Sequence, residues 1–469
     1  MSINRRNFLK GSLLGAGVAL TGFTGCTSTN KSEVEAVVKE CVEKGKNRKQ
    51  LFNMCGYAAA PIPVVRIGYV GIGSRGSWAV TRILNIKEIE IRGLCDLREE
   101  AVKKNQETLK NFNKRPAEEY FGDEYAWKKL CEQEDIDLIY IATPWEWHTP
   151  IAVYAMECGK HVAVEVPAAK TLEECWQLVE TSERTKRHCM QLENCCYDFF
   201  EMATLNMAQQ GVFGEVIHGE GAYIHDLRSL NFYPSEKGGY QGMWRLKYNE
   251  EHTGNPYPTH GLGPICQIMN IHRGDKMNYL VSMSTKQVGM TEYAKETFGA
   301  DSKEAKQTYK VGDMNTTLIQ TEKGKTILIQ HDVTSPRPYD RHHVVSGTKG
   351  FAQKYPVEGI ALEPEAHEFL SKVQMDSIMA LYEHPITKEV GEKARKVGGH
   401  GGMDFIMDYR LIYCLRNGLP LDQDVYDAAE WSCLTELTET SVKNGGAPVE
   451  IPDFTRGAWD KLKGLRFAE

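Results

Sequence analysis

A glycine-rich turn directly after an apolar strand constrains the fold of this chain more than any other feature. Residues 64–70 form an apolar run of strand length. Three glycines follow in GxGxxG spacing: Gly71, Gly73 and Gly76. Gly71 permits a tight turn, Gly73 lets the backbone approach a phosphate, and Gly76 lets the helix predicted over residues 77–86 pack on the strand. The order of strand, turn and helix therefore predicts a dinucleotide-binding unit, with the helix N-terminus facing the pyrophosphate.

Asp96 supports this interpretation, because it stands where such a unit needs a carboxylate. A second apolar run, residues 89–95, ends directly before Asp96, twenty residues after Gly76. A carboxylate at this distance binds the ribose hydroxyls. Asp96 would also repel the 2′-phosphate of NADP, so the sequence predicts NAD as the cofactor. Arg98 would favour NADP, but we expect it to be an exposed loop residue.

The composition excludes several classes of protein. The 469 residues are enough for two or three domains, and the net charge of −7 offers no basic excess to nucleic acid. The 13 cysteines have no framework spacing, and neither a pair of CxxC motifs nor a His-Glu-x-x-His motif occurs in the sequence. We therefore expect reduced, mostly buried thiols, no metal and no nucleic-acid partner.

The N-terminus has the features of an export signal. Residues 4–10 resemble a twin-arginine signal, and residues 11–22 are apolar but too short and too rich in small residues to span a membrane. The prediction is a signal over residues 1–26 and a tether over residues 27–62. It places the protein in the periplasm or on the cell envelope.

A lipid on Cys26 would provide the membrane anchor. The pair Gly25-Cys26 resembles a lipoprotein cleavage site, although Phe23 stands where such sites usually carry leucine. Cleavage by an ordinary signal peptidase is the alternative. The only membrane contact that the sequence predicts is this lipid.

Residues 63–195 are predicted to form an α/β domain with a doubly wound parallel sheet, which is a Rossmann domain. Strands alternate with helices at about thirty-residue spacing, and residues 135–142 form the unbroken apolar run of a buried parallel strand. A helix is predicted over residues 120–132. Because ligands bind at the carboxyl ends of such strands, the site is expected at the glycine-rich turn, Asp96, residues 143–148, Glu165 and Asn194.

Residues 196–469 have a different pattern, with strand-like runs separated by long loops. We predict a largely antiparallel sheet, and hence a second, α+β substrate-binding domain. The predicted strands cover residues 216–224, 277–284, 315–320, 326–333 and 342–347. Helices are predicted over residues 398–415 and 424–442.

At residues 71–76, 143–144 and 165–167 the chain resembles the glucose–fructose oxidoreductase/inositol dehydrogenase superfamily. That superfamily joins a Rossmann domain to a C-terminal sheet domain. Its dehydrogenases carry Glu-Lys-Pro where this chain has valine, Val166, in the middle position. They also carry an Asp and a His four residues apart, where this chain has His260 and Pro264. Both departures count against a simple alcohol dehydrogenase.

Three further motifs resemble glycoside hydrolase family 109. They are Trp-Glu-Trp-His at residues 145–148, Asn-Pro-Tyr-Pro-Thr-His-Gly-Leu-Gly-Pro at 255–264, and Gly-His-Gly-Gly-Met-Asp at 399–404. The resemblance covers roughly the whole mature chain, and the second motif is long and specific. The family acts as NAD-dependent exo-N-acetylgalactosaminidases, chiefly on α-linked terminal sugars such as the blood-group A determinant.

The resemblance also implies site residues. It puts NAD on the glycine-rich turn with Ser74, Arg75, Asp96, Trp145, Glu146, Trp147, His148, Glu165, Val166 and Asn194. It puts the sugar on Tyr223, Arg245, Tyr257, Pro258, Thr259, His260 and Tyr339.

NAD in a hydrolase needs a chemical reason, because hydrolysis has no net redox change. Hydride must therefore leave the sugar and return. Oxidation at C3 acidifies the proton on C2, a base removes it, the C1 oxygen leaves by elimination, and water adds. The protein must supply a base, groups that hold the enolate and a fixed nicotinamide.

His260 is our first choice for proton transfer, since a neutral imidazole has a suitable pKa near neutral pH. Tyr223 and Tyr257 are candidate acid/base or ketone-polarising phenols, with packing as the alternative. Arg245 and Tyr339 are expected to bind hydroxyls or the acetamido group. The roles of the remaining candidates have alternatives. Trp145 and Trp147 stack on a ligand or pack in the core, and His148 is expected to support the cofactor. His400 is a second catalytic or positioning histidine, or a helix cap.

Two other functions stay open from the sequence. The first is an exported NAD-dependent sugar oxidoreductase that releases a keto-sugar. The second is a non-catalytic sugar-binding lipoprotein, against which the intact glycine set argues. A two-carboxylate glycosidase would leave the Rossmann fold unused. The preferred anomer, the natural glycan and an assembly into homo-oligomers are not fixed by the sequence.

Overall fold

The computed structural model describes residues 43, 45–237 and 239–467, which belong to one compact unit, Val38–Glu469. The twin-arginine motif, Cys26 and the first part of the predicted tether lie outside the described residues. None of the helices within them is both long enough and apolar enough to cross a bilayer.

The N-terminal half contains a six-stranded sheet. Its strands are β1 Val65–Val70, β2 Ile89–Cys95, β3 Glu118–Tyr120, β4 Leu138–Ile141, β5 His161–Val164 and β6 Cys189–Gln191. All neighbours pair in parallel, in the order β3-β2-β1-β4-β5-β6. The strand order reverses between β1 and β4, which is where ligands of such sheets bind. The predicted doubly wound sheet is confirmed.

Five helices cover the two faces of this sheet. They are α1 Ser74–Ile83, α2 Glu99–Asn111, α3 Ala126–Glu132, α4 His148–Glu157 and α5 Leu172–Thr185, with short 3-10 turns at Trp145–Trp147 and Asn194–Tyr197. The helix predicted over residues 120–132 is wrong in its first part. Residues 118–120 form the edge strand β3, whose Glu-Glu-Tyr sequence has no apolar alternation and which is held by backbone pairing of Gly93 with Glu118.

The C-terminal half contains an eight-stranded sheet. Its strands are β7 Val216–Ile224, β8 Met277–Ser284, β9 Asn315–Thr321, β10 Thr326–Asp332, β11 His343–Gly347, β12 Gly350–Gln353, β13 Gly359–Leu362 and β14 Val449–Glu450. The order is β13-β12-β11-β7-β10-β9-β8-β14, and every pair except β7 with β10 is antiparallel. The largely antiparallel sheet is confirmed, although the sequence did not predict β12, β13 or β14.

Helices of this half pack around the sheet and fill the connections. They are α6 Phe199–Gln209, α7 Arg228–Phe232, α8 Trp244–Glu251, α9 Thr259–Ile268, α10 Gly289–Phe298, α11 Lys303–Lys306, α12 Lys372–Leu381, α13 Pro385–Val397, α14 Met403–Asn417 and α15 Val425–Lys443. The helix predicted from residue 398 begins only at Met403. Residues 398–402 all have positive φ, a conformation that four glycines allow and that excludes them from a helix.

Two glycines bring α9 into backbone contact with β7. A Cβ on Gly261 would lie 2.4 Å from the backbone nitrogen of Ala222, and a Cβ on Gly221 would lie 2.0 Å from the carbonyl oxygen of Gly261. Side chains at either position would push the helix off the strand. The contact therefore sets the N-terminus of α9, with His260, beside Tyr223 on β7.

A buried charged cluster links the loop after α9 to α15. His272 is 1% exposed, with its Nε2 2.8 Å from Asp427 and its Nδ1 2.5 Å from Glu430. Burial acts to lower the pKa of His272, but Glu430 and Asp427 outweigh it and raise the pKa to about 10. The folded state therefore favours the imidazolium.

This cluster predicts a pH dependence of stability. A histidine whose folded pKa is raised from 6.5 to about 10 stabilises the fold fully below pH 6.5, and this contribution is lost as the pH rises to about 10. We expect the free energy of unfolding, measured by urea denaturation, to fall across this window. In His272→Gln the fall should be smaller, whatever the variant's absolute stability. An identical slope in both proteins would contradict the assignment.

Candidate active site

The glycine-rich turn has the shape that a dinucleotide requires. Gly71 has φ +82°, and a Cβ there would lie 2.7 Å from the backbone of Ala142 on the neighbouring strand end. A Cβ on Gly76 would lie 1.9 Å from the carbonyl oxygen of Gly71. Helix α1 starts at the exposed Ser74 without a side-chain cap or an acidic residue in its first turn. Its free N–H groups therefore remain available to a pyrophosphate.

Asp96 lies directly beside this turn. Its Oδ2 accepts a hydrogen bond from the backbone N–H of Ile72 at 3.0 Å, and its Oδ1 accepts from Nε of Arg98 at 3.1 Å. Arg98 is therefore not the exposed loop residue that we expected, because the carboxylate holds it against the turn, with Nη2 3.0 Å from where a Gly73 Cβ would stand. The position of Asp96 fits the predicted contact with the ribose.

The two tryptophans of the 3-10 turn after β4 pack against different parts of the protein. Trp145 is buried and stacks on Tyr257 of the C-terminal half, with ring centroids 5.6 Å apart. Trp147 instead packs edge-on against Trp127 of α3 at 6.3 Å, and Glu146 is exposed. Only Trp145 of these three is brought together with the predicted sugar-binding residues.

The contacts of His148 indicate that it supports the neighbouring loops. It is 1% exposed, and its ring nitrogens lie 2.7 Å from the carbonyl oxygen of Pro167 and 2.9 Å from that of Thr143. Burial lowers its pKa despite these two contacts. His148 thus ties together the loops after β4 and β5, and the second of these contains the buried Val166.

Arg75 connects the turn to the C-terminal half through a buried carboxylate, Asp404. Its Nε donates to Glu165 at 2.7 Å and its Nη1 donates to Asp404 at 2.9 Å. Asp404 is 1% exposed and also accepts a hydrogen bond from Asn194 at 2.5 Å. Burial acts to raise the pKa of Asp404, but Arg75 and the other donors hold it well below the usual range. Two predicted cofactor residues, Arg75 and Asn194, therefore meet on one ionised aspartate, and Glu165 joins them through Arg75.

His400 lies on the glycine loop that precedes α14. Its Nδ1 lies 3.0 Å from Oδ2 of Asp404, and its side chain is 57% exposed. A Cβ on Gly399 would lie 2.8 Å from the Cβ of Asp404, so glycine is needed for this approach. His400 is also close enough to His225 to lower that residue's pKa, after the larger effects of burial, Arg245 and Asp226. The loop thus sets an accessible histidine beside both Asp404 and His225.

Arg245 is a buried cation surrounded by aromatic rings. It is 5% exposed, and its guanidinium carbon lies 4.7 Å from the ring centre of Tyr257, 5.2 Å from Trp145, 5.5 Å from Tyr240 and 5.8 Å from Tyr223. Nη1 donates to the Tyr240 hydroxyl at 3.1 Å, whereas Nη2 has no partner. Within the described ranges no carboxylate forms an ion pair with it. Such a group favours a ligand that brings an electron-rich oxygen.

We expect Arg245→Gln to lower kcat/KM by about 10- to 100-fold, the usual cost of losing a hydrogen bond to a charged group. The NAD content should stay unchanged. The melting temperature should not fall, because no carboxylate loses its partner. Kinetics, released NAD and thermal denaturation of the pure variant measure the three effects. Normal kinetics, or loss of NAD, would return Arg245 to a packing role.

His260 and Glu193 form a buried pair at the centre of the site. Nδ1 of His260 lies 2.6 Å from Oε1 of Glu193, which is completely buried. The imidazole lies against Tyr257 (ring centroids 4.9 Å apart) and Tyr223 (5.3 Å). Nε2 makes no hydrogen bond to any residue that the structure describes. The Nε2 edge of the ring is thus available to a ligand.

The other predicted sugar-binding residues differ in their positions. Tyr339 is 40% exposed and lies at the rim, with its ring 5.0 Å from His225, whose Nδ1 is 3.2 Å from the Tyr223 hydroxyl. Pro258 and Thr259 are buried at the start of α9, so they position His260. The structure thus brings Tyr223, Arg245, Tyr257, His260 and Tyr339 together around one space.

Sequence reasoning missed four polar residues at this site: Glu193, His225, His331 and Asp404. Glu193 and Asp404 hold the two histidines described above. His331 is completely buried beside Tyr223, and burial lowers its pKa to about 3. The one available signal was position, because Glu193 stands directly before Asn194 at a strand end and Asp404 ends the Gly-His-Gly-Gly-Met-Asp motif.

Two clusters of the described residues combine metal-ligand types within 4.8 Å: Glu193 with Cys195 and His260, and His272 with Asp424 and Asp427. In the first, Nη1 of Arg341 lies 2.9 Å from the Cys195 sulfur. In the second, Arg273 already pairs with Asp427. In both clusters at least one candidate ligand thus already contacts an arginine.

Fold and site together define a protein with an NAD-binding Rossmann half and a second half built on a largely antiparallel sheet. Residues 65–192 match the family model of the oxidoreductase family with NAD-binding Rossmann fold. Residues 197–461, more than half of the chain, match the model of the glycosyl hydrolase 109 C-terminal domain. The chain belongs to glycosyl hydrolase family 109 and is an NAD-dependent glycoside hydrolase, as the resemblance predicted.

Curated relatives support this membership. The chain is 60% identical over 409 residues to the alpha-N-acetylgalactosaminidase of Bacteroides fragilis, covering 87% of this chain and 96% of that protein. It is 55% identical over 421 residues to a glycosyl hydrolase family 109 protein of Porphyromonas gingivalis, covering 87% and 88%.

Solved structures share the fold at low sequence identity. A levoglucosan dehydrogenase in complex with NADH and levoglucosan is 15% identical with a TM-score of 0.61, covering 83% of this chain and 100% of that one. An inositol dehydrogenase homologue from Azotobacter vinelandii, complexed with NADH and myo-inositol, is 18% identical with a TM-score of 0.59, covering 83% and 98%.

Proposed function

We propose that this glycosidase releases terminal N-acetylgalactosamine, chiefly α-linked as in the blood-group A determinant, by oxidation, elimination, hydration and reduction. One observation carries the proposal. His260, backed by Glu193, faces Tyr223 and Tyr257, while Tyr257 stacks on Trp145 at the cofactor end of the Rossmann sheet. The name of the Bacteroides fragilis relative supports the choice of sugar.

The residues present fit NAD. The turn leaves no room for a Cβ at Gly71 or Gly76, the N-terminus of α1 is uncapped, and Asp96 stands beside the turn. Bound NAD supplies hydride acceptance from C3 of the sugar and hydride return at the end of the cycle. Arg75 and Asn194 hold the surrounding loops in place through Asp404, and Arg75 also holds Glu165.

His260 takes the C2 proton in this scheme. Burial raises the pKa of Tyr223 to about 12 and raises that of Tyr257 well above its usual value, although Arg245 acts to lower both. Both phenols therefore stay protonated near neutral pH and act as hydrogen-bond donors. A donor stabilises the developing enolate oxygen, so the task of the base falls to the imidazole.

Arg245 adds a fixed positive charge for the enolate. The group is already desolvated inside its aromatic cage, so it needs no reorganisation when negative charge develops on the sugar. The phenols and the guanidinium thus act together to stabilise negative charge on the oxidised part of the sugar ring.

His400 is our choice for the residue that transfers a proton to the C1 oxygen. Its side chain is 57% exposed whereas that of His260 is 12% exposed, which suits the side where an aglycone leaves and water enters. Asp404 fixes its Nδ1. In this role His400 protonates the leaving oxygen and then takes a proton from the incoming water.

Hydrolysis in heavy water tests the mechanism. The elimination route removes the proton on C2, so the released sugar should carry deuterium there, as measured by NMR on product from early turnover. A two-carboxylate glycosidase never breaks this bond and serves as the control on the same substrate. Thioglycosides should also be cleaved, since no charged oxocarbenium forms at C1. A base that returns the same proton without exchange would leave protium at C2, so protium retained at C2 together with undisturbed activity in His260→Ala would contradict the scheme.

The product and the need for added NAD distinguish the glycosidase from the alternative, an exported NAD-dependent sugar oxidoreductase. Such an enzyme would release a keto-sugar and would need added NAD for each turnover. The glycosidase should need none, because the hydride returns. A panel of α- and β-linked sugars then fixes the anomer and the glycan.

We further propose a location for the enzyme. The arginine pair and the apolar segment after it suit twin-arginine export to the periplasm, with a lipid on Cys26 as the anchor. Replacement of both arginines by lysine should retain the protein in the cytoplasm. The same proposal sets the end of the signal at residue 26, the end of the tether at residue 62 and the boundary between the two domains at residue 195. It also includes assembly into homo-oligomers.

A further inference from the structure

Glu193 is a completely buried carboxylate directly behind His260. It lies between β6 and the Asn194–Tyr197 turn, and its Oε1 is 2.6 Å from Nδ1 of His260. Its second oxygen, Oε2, forms no hydrogen bond of regular geometry, although the Thr259 hydroxyl lies close enough to the carboxylate to act on its pKa. A buried carboxylate with so few partners is costly to the fold, so its presence calls for a functional reason.

The surroundings hold Glu193 in one position. The side-chain amide of Gln423 accepts from its backbone N–H at 3.3 Å and donates to its carbonyl oxygen at 3.0 Å. Its Oε1 also accepts from the backbone N–H of Cys195 at 3.1 Å. On the facing helix a Cβ at Gly263 would lie 2.8 Å from Cγ of Glu193, so only glycine leaves room for it. The carboxylate is therefore part of a built site.

The charge of Glu193 decides which nitrogen of His260 carries the proton. Burial acts to raise the pKa of Glu193, but His260 and the hydrogen bonds outweigh it, and the pKa lies below the usual value. The carboxylate is thus ionised near neutral pH and can only accept. Nδ1 of His260 must donate to it, which leaves the lone pair on Nε2.

We propose that Glu193 is the positioning residue that makes His260 a base, and this rests on the proposed function. When the C2–H bond breaks, its electron pair moves into the enolate and its proton moves to Nε2. Nδ1 keeps its proton, and the imidazolium is stabilised by the ionised Glu193. A proton returned from Nε2 to C2 restores the starting state.

A double-mutant cycle tests this role. Glu193→Gln should lower kcat by about 10²- to 10⁴-fold, because an amide allows the wrong tautomer and stabilises no imidazolium. Deuterium incorporation at C2 should fall with it, whereas KM and NAD content should not change. In a His260→Ala background, Glu193→Gln should cause no further loss. An equal further loss would show that Glu193 acts through the fold and overturn the proposal.

Matched variants separate chemistry from folding. Glu183→Gln removes another completely buried carboxylate, one that contacts Tyr426 and Arg456 away from this site, and should keep normal kcat. Glu193→Asp retains a charge and should exceed Glu193→Gln in kcat. Equal activities of the two variants would contradict a role for the negative charge of Glu193 in catalysis.

A spectroscopic measurement makes the proposal independent of turnover. In protein labelled with ¹⁵N-histidine, the His260 signal, assigned by its absence in His260→Ala, should show the proton on Nδ1. A proton on Nε2 in the resting enzyme would overturn the role of Glu193, even if C2 exchange occurs. Absence of C2 exchange in the wild-type enzyme, together with undisturbed activity in His260→Ala, would instead overturn the proposed function.

Discussion

His260→Ala is expected to lower kcat by about 10²- to 10⁴-fold, the usual cost of removing a general base. The residue that takes the C2 proton is then missing, and hydrolysis and deuterium incorporation should fall together. The NAD content should stay at that of the wild type, because His260 contacts none of the residues of the glycine-rich turn. Turnover in heavy water, with NAD measured after denaturation, tests all three statements.

His218→Ala is the matched control for this variant. His218 also pairs with a glutamate, Glu220, but it lies at the other end of β7 from Tyr223 and is half-buried. We expect this variant to keep wild-type turnover. Undisturbed activity in His260→Ala would remove His260 from the mechanism, and a loss of NAD would give it a structural role.

Gly76→Ala is expected to abolish NAD retention and activity together. The added methyl group would lie 1.9 Å from the carbonyl oxygen of Gly71, a distance that no real contact allows. Because the obstacle is backbone, helix α1 must move away from the turn, and its N–H groups then leave the pyrophosphate position. The measurement is NAD released on denaturation of pure protein, expected at about one per chain in the wild type because the fold has one such site.

Trp78→Ala controls for a general effect on the same helix. Trp78 is 66% exposed, so its truncation should leave NAD content and kcat unchanged. Retention of NAD in Gly76→Ala would show that the cofactor does not depend on the close approach of helix and turn.

The parts of the fold that follow local rules were predictable from the sequence. The glycine-rich turn, Asp96 and the alternation of strands and helices are set by neighbouring residues, and β7 and β8 were predicted to the residue. The edge strand β3 was missed because its polar residues carry no period. The start of α14 was misplaced because glycines with positive φ have no periodic signature.

The candidate site was predictable where a motif carries it and not where packing assembles it. Glu193 meets His260 because Gly263 on α9 leaves room for the glutamate side chain, and that contact is invisible in either segment alone. The two tryptophans of the Trp-Glu-Trp-His motif are equivalent in sequence, yet only Trp145 faces the C-terminal half. Arg98 was expected in solvent, although Asp96 stands only two residues before it and its carboxylate binds the guanidinium.

The ion pairs around Asp404 bear on the order of events during synthesis. Arg75 and Arg82 leave the ribosome early, whereas their partners Asp404 and Asp408 follow more than 300 residues later. The nascent Rossmann half can form its sheet while translation continues. Its cofactor turn, however, is completed only when α14 docks. A chain that stops before this helix would therefore retain a parallel sheet and the contact of Arg75 with Glu165 but would lack Asp404, and lasting capture of NAD would mark the finished polypeptide.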